Sequence, residues 1–325
     1  MNASFEITAA LPGRSCPLSY RYSPAVLNRP ADLETETLYV IGGLYGNVPA
    51  LDAIDTLMRD EPAAPTLAFN GDFNWFNTDD KSFETINRRI LVHCALRGNV
   101  ETELAGNDGN AGCGCAYPDS VSNAEVGRSN EILRALRATA ARFPALRKQL
   151  GALPMHATAQ VGALRIGIVH GDAESLAGWR FGHDQLDAPD NIAWLHQAFS
   201  AAKVDLFASS HTCLPVMRQF EFQRQLRGVI NNGAAGMPNF ADTHYGLVTR
   251  ISTLVSPHPP LYGFTLRGVH VDAIAVHYDQ ARWTETFLAN WPPGSPGHES
   301  YFRRMILGPR YALATAAAPR AGSVT

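Results

Sequence analysis

Residues 39–54, YVIGGLYGNVPALDAI, decide the fold. An apolar run, Tyr39 to Ile41, enters a glycine-rich turn, and helical patterning follows over about Val48–Met58. This is the strand, turn and helix of an α/β layout, in which function gathers where strand ends meet loops. The turn itself, GGLYGN, carries no ionisable group.

The same rhythm continues outward. TLAFN reads as a strand, Lys81–Arg89 as a helix and ILVHCALRGN as a further strand. Residues 101–122 have the glycine, asparagine and proline density of a long loop, and such loops in compact domains are often functional. Beyond it, Ile132, Leu133, Leu136, Ala140 and Phe143 recur at three- and four-residue spacing, which predicts an amphipathic helix. The second half is richer in strands: ATAQVGALRIGIVHGD, VDLFASSH, PVMRQFEFQ, GVINNGAAG, GLVTRI and VDAIAVHYD. The expected organisation is an irregular arm over 1–37, one α/β domain over 38–309 with a loop insertion at about 102–123, and a disordered tail over 310–325.

Composition narrows the function classes. With 27 Lys and Arg against 30 Asp and Glu in 325 residues, the net charge of -3 leaves no basic footprint for nucleic acid and no polybasic membrane signal. No window reaches the roughly eighteen apolar residues of a membrane span. Five scattered cysteines fit a reduced compartment, so the expectation is a cytoplasmic protein of open oligomeric state.

Four strand ends carry polar residues of one kind: Asp72 in FNGDFNW, Asn99 in LRGNVE, His170 in IVHGD and His211 in ASSHTC. Singly, each reads as a turn residue, a cap or a hydrogen-bonded polar group. Together, a carboxylate, an amide oxygen and two imidazoles form a mixed oxygen and nitrogen ligand set, suited to zinc, manganese or iron rather than calcium.

With those residues in that order, the sequence resembles the calcineurin-like metallophosphoesterases, especially their small bacterial phosphodiesterase-like branch. The family's blocks run D-x-H, G-D, G-N-H-D/E, H-G and G-H-T-H, and the matching stretches here are GGLYGN, NGDFNW, RGNVE, VHGD and SHTC. VINNGAAGMP is similar to the stretch that usually follows. The resemblance covers roughly residues 38–280 and implies a four-layer α/β/β/α sandwich, a small phosphate-containing substrate and hydrolysis of a phosphate monoester or diester. It implies one metal held by Asp72, Asn99, His170 and His211. The second metal of the family lacks ligands here, because Gly43, Tyr45 and Cys213 stand where an Asp and two His are expected, and Val100 replaces the acid His. One divalent transition metal, with Cys213 as a thiolate candidate, is therefore the expectation.

Other residues carry open alternatives. Arg97 reads as a bidentate phosphate donor or as a surface ion pair. His93, at even spacing from Arg97 and Asn99 along a strand, reads as a proton donor or a core histidine. Tyr45 fills the vacated metal volume or points its hydroxyl at substrate. Cys113 and Cys115 in GCGC form a thiolate site or pack as small hydrophobes. The surviving reaction is metal-dependent hydrolysis, a non-catalytic binding role, or a different reaction on the remodelled site.

Overall fold

The computed structural model describes residues 12–106 and 110–317. Alternating strands and helices build β1 (Leu33–Glu34), β2 (Thr37–Ile41), α1 (Val48–Arg59), β3 (Thr66–Asn70), α2 (Asp80–Ile90), β4 (Cys94–Leu96), α3 (Asn99–Ala105), α4 (Asn123–Ala140) and α5 (Pro144–Ala152). The second half adds β5 (His156–Val161), β6 (Leu164–Val169), α6 (Pro189–Ala202), β7 (Leu206–Ser209), β8 (Val216–Phe222), β9 (Gln225–Asn231) and β10 (Gly246–Ser252). It ends with β11 (Tyr262–Leu266), β12 (Val269–Val276), α7 (Gln280–Asn290), α8 (Arg303–Leu307) and α9 (Leu313–Ala316).

The strands form two six-stranded sheets, ordered β11-β12-β10-β2-β3-β4 and β1-β5-β6-β7-β9-β8. In the first, β2, β3 and β4 run parallel; in the second, β6, β7 and β9 do. Each sheet buries both faces, which is why these strands read as unbroken apolar runs. Leu38, Val40, Ala68 and Leu96 of the first sheet face Ile166, Ile168, Leu206 and Ile230 of the second. On the outer face of the first sheet, Tyr39, Ile41 and Phe69 pack with Ile54, Phe83, Leu136 and Phe287 of the helices. On the outer face of the second, Val169, Phe207 and Val229 pack with Trp194, Leu195 and Phe199 of α6. The result is the four-layer α/β/β/α sandwich, with the C-terminal ends of both parallel sets on one edge.

Several boundaries differ from the sequence reading. α2 runs to Ile90, so β4 is only three residues long and Leu91, Val92 and His93 lie in the turn before it. The long loop starts after Ala105 rather than at 102, because Asn99–Ala105 is helical. Phe143 is the residue preceding α5, not the last turn of the expected helix. The arm is not wholly irregular: Leu33 and Glu34 pair in parallel with β5; its first eleven residues lie outside the described ones. Residues 310–317 depart from the expected tail, since the Tyr311 hydroxyl donates to the Pro215 carbonyl and Arg218 donates to the carbonyls of Thr315 and Ala316. Residues 318–325 lie outside the described ones. Among the described residues, no helix is long and apolar enough to cross a membrane.

Beneath the first sheet sits a charged pair that the core fully encloses. Arg250 of β10 donates to both carboxylate oxygens of Glu61, at 2.6 and 3.0 Å, and the Tyr39 hydroxyl donates to the same carboxylate. Neither side chain of the ion pair is exposed. Removing one partner strands a buried charge, which costs far more than losing a surface pair. Arg250→Met is expected to lower the unfolding free energy by about 3–5 kcal/mol, whereas Arg88→Ala, at an exposed pair with Glu84, changes it by less than about 1 kcal/mol. Urea denaturation of the two variants measures the difference.

Candidate metal centre

Each of the four polar strand-end residues lies at the C-terminal edge of a parallel strand, two per sheet. Asp72 follows β3, Asn99 opens α3 after β4, His170 follows β6 and His211 comes after β7. Closing the sandwich brings them together: His170 Nε2 lies 3.3 Å from Asp72 Oδ2, 3.1 Å from Asn99 Oδ1 and 3.1 Å from His211 Nδ1. All four side chains are buried. Tight backbone approach makes this possible: a Cβ on Gly98 would sit 2.2 Å from Asp72 Oδ1, so only glycine lets the Asn99 turn come so near the carboxylate.

The hydrogens of this group all point elsewhere. His170 Nδ1 faces the Asn70 carbonyl at 2.8 Å, and His211 Nε2 faces the Cys115 carbonyl at 3.1 Å. A carbonyl oxygen only accepts, so those nitrogens carry the ring hydrogens and the converging Nε2 and Nδ1 present lone pairs. The Asn99 amide donates its Nδ2 hydrogens to the Cys113 carbonyl at 2.9 Å and toward Cys115 Sγ at 3.5 Å, which turns Oδ1 inward. With both rings neutral, the Asp72 carboxylate and the three other groups bring four acceptor atoms together. Such a cluster favours a positive charge among them, a proton on His170 Nε2 or a cation, and its oxygen and nitrogen make-up fits a divalent transition metal.

Charge states follow from the same neighbours. Burial pushes the Asp72 pKa up, but His170 and the Val100 backbone N–H outweigh it, and the carboxyl is held below its ordinary value. Burial pushes His170 down, while the Asp72 carboxylate overrides it and leaves the imidazole above its ordinary value. Burial, aided by His170, pushes His211 down to about 3, so that ring stays neutral.

On the other side, Tyr45 and Cys213 meet each other. The Tyr45 hydroxyl lies 2.9 Å from Cys213 Sγ, and burial is the main cause raising the pKa of both groups, so each keeps its proton. Among the described residues, the His, Cys, Asp and Glu side chains that could hold an ion together are Asp72, His170 and His211, and Cys213 does not join them. Gly43 belongs to this remodelling: its φ is +63°, and a Cβ there would lie 3.0 Å from the Tyr45 hydroxyl and ring. The Tyr45 ring end thus takes the space a side chain at 43 would use. Tyr45, Asp72 and Cys213 all have positive φ, at 55°, 51° and 60°. Three such non-glycine residues around one cavity mark backbone strain kept at a site.

The cavity over these groups is about 40 Å³, room for an ion with one or two waters. Its walls are Trp75, Tyr117, Trp179 and Tyr301, with Tyr45 and Cys213 to one side, and among the described residues no Lys or Arg lines it.

Two candidates from the sequence stand apart. His93 is exposed, in the turn before β4, at the opposite end of that strand from Asn99. Period-2 spacing does not extend to it, because its segment is not strand, and it is not a core histidine. Arg97 donates to the Gly151 carbonyl at 3.1 Å, does not line the cavity and forms no ion pair among the described residues. The GCGC loop acts mainly through its backbone: the carbonyls of Cys113 and Cys115 orient Asn99 and His211, the Cys115 thiol takes a longer contact from the Asn99 amide, and the Cys113 thiol packs in the core. Trp179, whose indole N–H also donates to the Cys115 carbonyl, and Tyr301 lie in HGDAESLAGW and WTETFLANWPPGSPGHESYF, stretches whose sequence reads either as pocket-shaping or as aromatic packing, and both line the cavity. Glu101, wholly buried beside Asp72, gave no signal beyond its place in RGNVE.

No protein-family model matches the chain, and no curated protein sequence does. Similarity lies in the fold. A metallophosphoesterase from Sphaerobacter thermophilus superposes with a TM-score of 0.54 at 17% identity, over 84% of this chain and 100% of its own. A hypothetical protein from Pyrococcus horikoshii superposes with a TM-score of 0.57 at 16% identity, over 85% of this chain and 99% of its own. Together with the two packed six-stranded sheets, these superpositions give the chain the metallophosphoesterase fold.

Proposed function

We propose that this protein is a metal-dependent hydrolase of a phosphate monoester or diester that works with a single divalent transition metal, Mn, Fe or Zn. The observation that carries the reading is the meeting of four potential ligand atoms from Asp72, Asn99, His170 and His211, with the outer ring nitrogens and the Asn99 amide held by backbone carbonyls. When bound, a divalent ion supplies Lewis acidity toward a phosphoryl oxygen and toward water. The residues of the chain do the rest. The Cys113 and Cys115 carbonyls hold the Asn99 amide and His211 ring in their ligating orientations, a role that sets metal affinity in other metal sites. Tyr45, protonated and at the cavity wall, holds a hydrogen on its hydroxyl for a phosphate oxygen or a leaving group. Trp75, Tyr117, Trp179 and Tyr301 keep bulk water from the reacting atoms.

A second reading, a non-catalytic binding or regulatory protein that keeps one metal, is favoured by the small cavity, which no Lys or Arg among the described residues lines, and by Val100 at its wall. Turnover separates the two. Protein purified without added metal is expected to carry one equivalent of transition metal by elemental analysis, and to hydrolyse p-nitrophenyl phosphate or its bis ester. Asp72→Ala is expected to lose both the metal and the turnover. A metal-replete wild type without turnover supports the binding reading, and a wild type that takes up no ion overturns the metal site itself.

Metal binding is also expected to depend on pH. The raised pKa of His170 means that its proton competes with the ion, so affinity falls as pH drops through that pKa, by about tenfold per unit for one displaced proton. The fall begins above the ordinary histidine value of about 6.5. Competition titrations against a chelator between pH 5.5 and 8 measure the slope.

Gly43 and Tyr45 are expected to couple. Gly43→Asp alone pushes a side chain into the Tyr45 ring and is expected to cost about 1–3 kcal/mol. Adding Tyr45→His opens that space, so the double variant loses less than the sum of the single ones. With Cys213→His as well, the stoichiometry is expected to rise from one ion to two.

A further inference from the structure

Glu101 lies in the first turn of α3, wholly buried. Its Oε2 accepts from the backbone N–H of Asp72 at 2.8 Å and of Gly98 at 3.0 Å. Its Oε1 accepts from the backbone N–H of Asn74 at 3.2 Å and from the Asn74 amide at 3.3 Å. Both oxygens are thus fully engaged, and no Lys or Arg pairs with this carboxylate among the described residues. A buried carboxylate satisfied only by N–H donors is a costly arrangement to keep for packing alone.

Those donors belong to two different loops. Asp72 and Asn74 lie in the loop after β3, and Gly98 closes the turn that presents Asn99. A single carboxylate therefore ties together the segments that supply two of the four converging ligands. Asp72 needs such a tie, because its φ of 51° is a conformation that an L residue holds only when its surroundings over-determine it. The tie is anchored in turn: Asn74 Oδ1 accepts from Asn77 at 2.8 Å and from Asn87 of α2 at 2.9 Å. The Val100 N–H, one residue from Glu101, donates to Asp72 Oδ1 at 3.1 Å, which leaves Oδ2 for the cluster.

We infer that Glu101 is the positioning residue of the metal centre: by clamping the Asp72 and Asn99 loops to each other it sets how tightly the ion is held. The inference rests on the single-metal reading above. Hydrogen bonds to the groups behind metal ligands commonly change affinity by about 10- to 100-fold when removed, and Glu101 bonds the backbone of one ligand and of the residue before another.

The test is the dissociation constant for Mn²⁺ of the full chain, measured by competition with a fluorescent chelator at fixed pH. Glu101→Gln keeps the size of the side chain but turns an NH2 toward N–H donors, and is expected to bind Mn²⁺ about 10- to 100-fold more weakly. Glu103→Gln is the control: it lies two residues further along the same helix and is held by Tyr20 and Arg137, where Glu101 is held by the backbone of Asp72, Gly98 and Asn74. Its affinity is expected to match the wild type. An unchanged affinity in Glu101→Gln, or an equal loss in Glu103→Gln, overturns the inference. If Glu101→Gln does not fold, Asn74→Ala removes one of the four bonds, and a loss of a few-fold supports the inference while no loss overturns it. A wild type that binds no Mn²⁺ removes the metal reading and this inference with it, an outcome distinct from wild-type binding that Glu101→Gln leaves unchanged.

Discussion

The lone-pair-bearing atoms of Asp72, Asn99 and His211, each held 3.1–3.3 Å from His170 Nε2, are the constraint around which this edge of the molecule is organised. Left alone they repel, and low dielectric strengthens the repulsion. The surrounding structure supplies what keeps them in place: carbonyls of Asn70, Cys113 and Cys115 fix the two rings and the amide, and Glu101 fixes the loop that carries Asp72. The cysteine-bearing loop thereby acquires a purpose that its thiols did not announce. It lays two carbonyl groups against Asn99 and His211, and Gly114 lets the chain come that close to Asn99.

The opposite side of the cavity follows a different logic. Tyr45 and Cys213 satisfy each other at 2.9 Å, and Gly43 makes way for the Tyr45 ring. This is a packed and hydrogen-bonded wall, not an empty half-site. The three residues match one another in size and polarity, so a change at one is felt at the others. The same wall places protonated, neutral side chains on one side of the cavity, and Trp75, Tyr117, Trp179 and Tyr301 line it beside them.

Much of this was legible in the chain. Asp72, Asn99, His170 and His211 each follow an apolar run, and a parallel sheet places such residues on one edge; the resemblance of the surrounding blocks supplied the sandwich. What misled was local. ILVHCALRGN looks like one strand because its residues are apolar and branched, yet Ile90 closes α2 and the strand is only Cys94–Leu96. His93 was placed by counting along a strand longer than the real one, and Arg97 by its position beside Asn99. The proline- and alanine-rich end hid a short helix because its ties are to β8, far away in sequence.

The sequence by itself determined the alternation of elements, the burial of both faces of each sheet and the identity of the four strand-end groups, because hydrophobic period and residue type are properties of neighbours along the chain. Only the tertiary structure decided which atoms of those groups face one another. That choice depends on hydrogen-bond partners from distant segments: the Cys113 and Cys115 carbonyls for Asn99 and His211, the Asn70 carbonyl for His170, and the Glu101 carboxylate for the loop of Asp72. A ring nitrogen presents a lone pair only when something else holds its hydrogen, and nothing in the local sequence says what that something is.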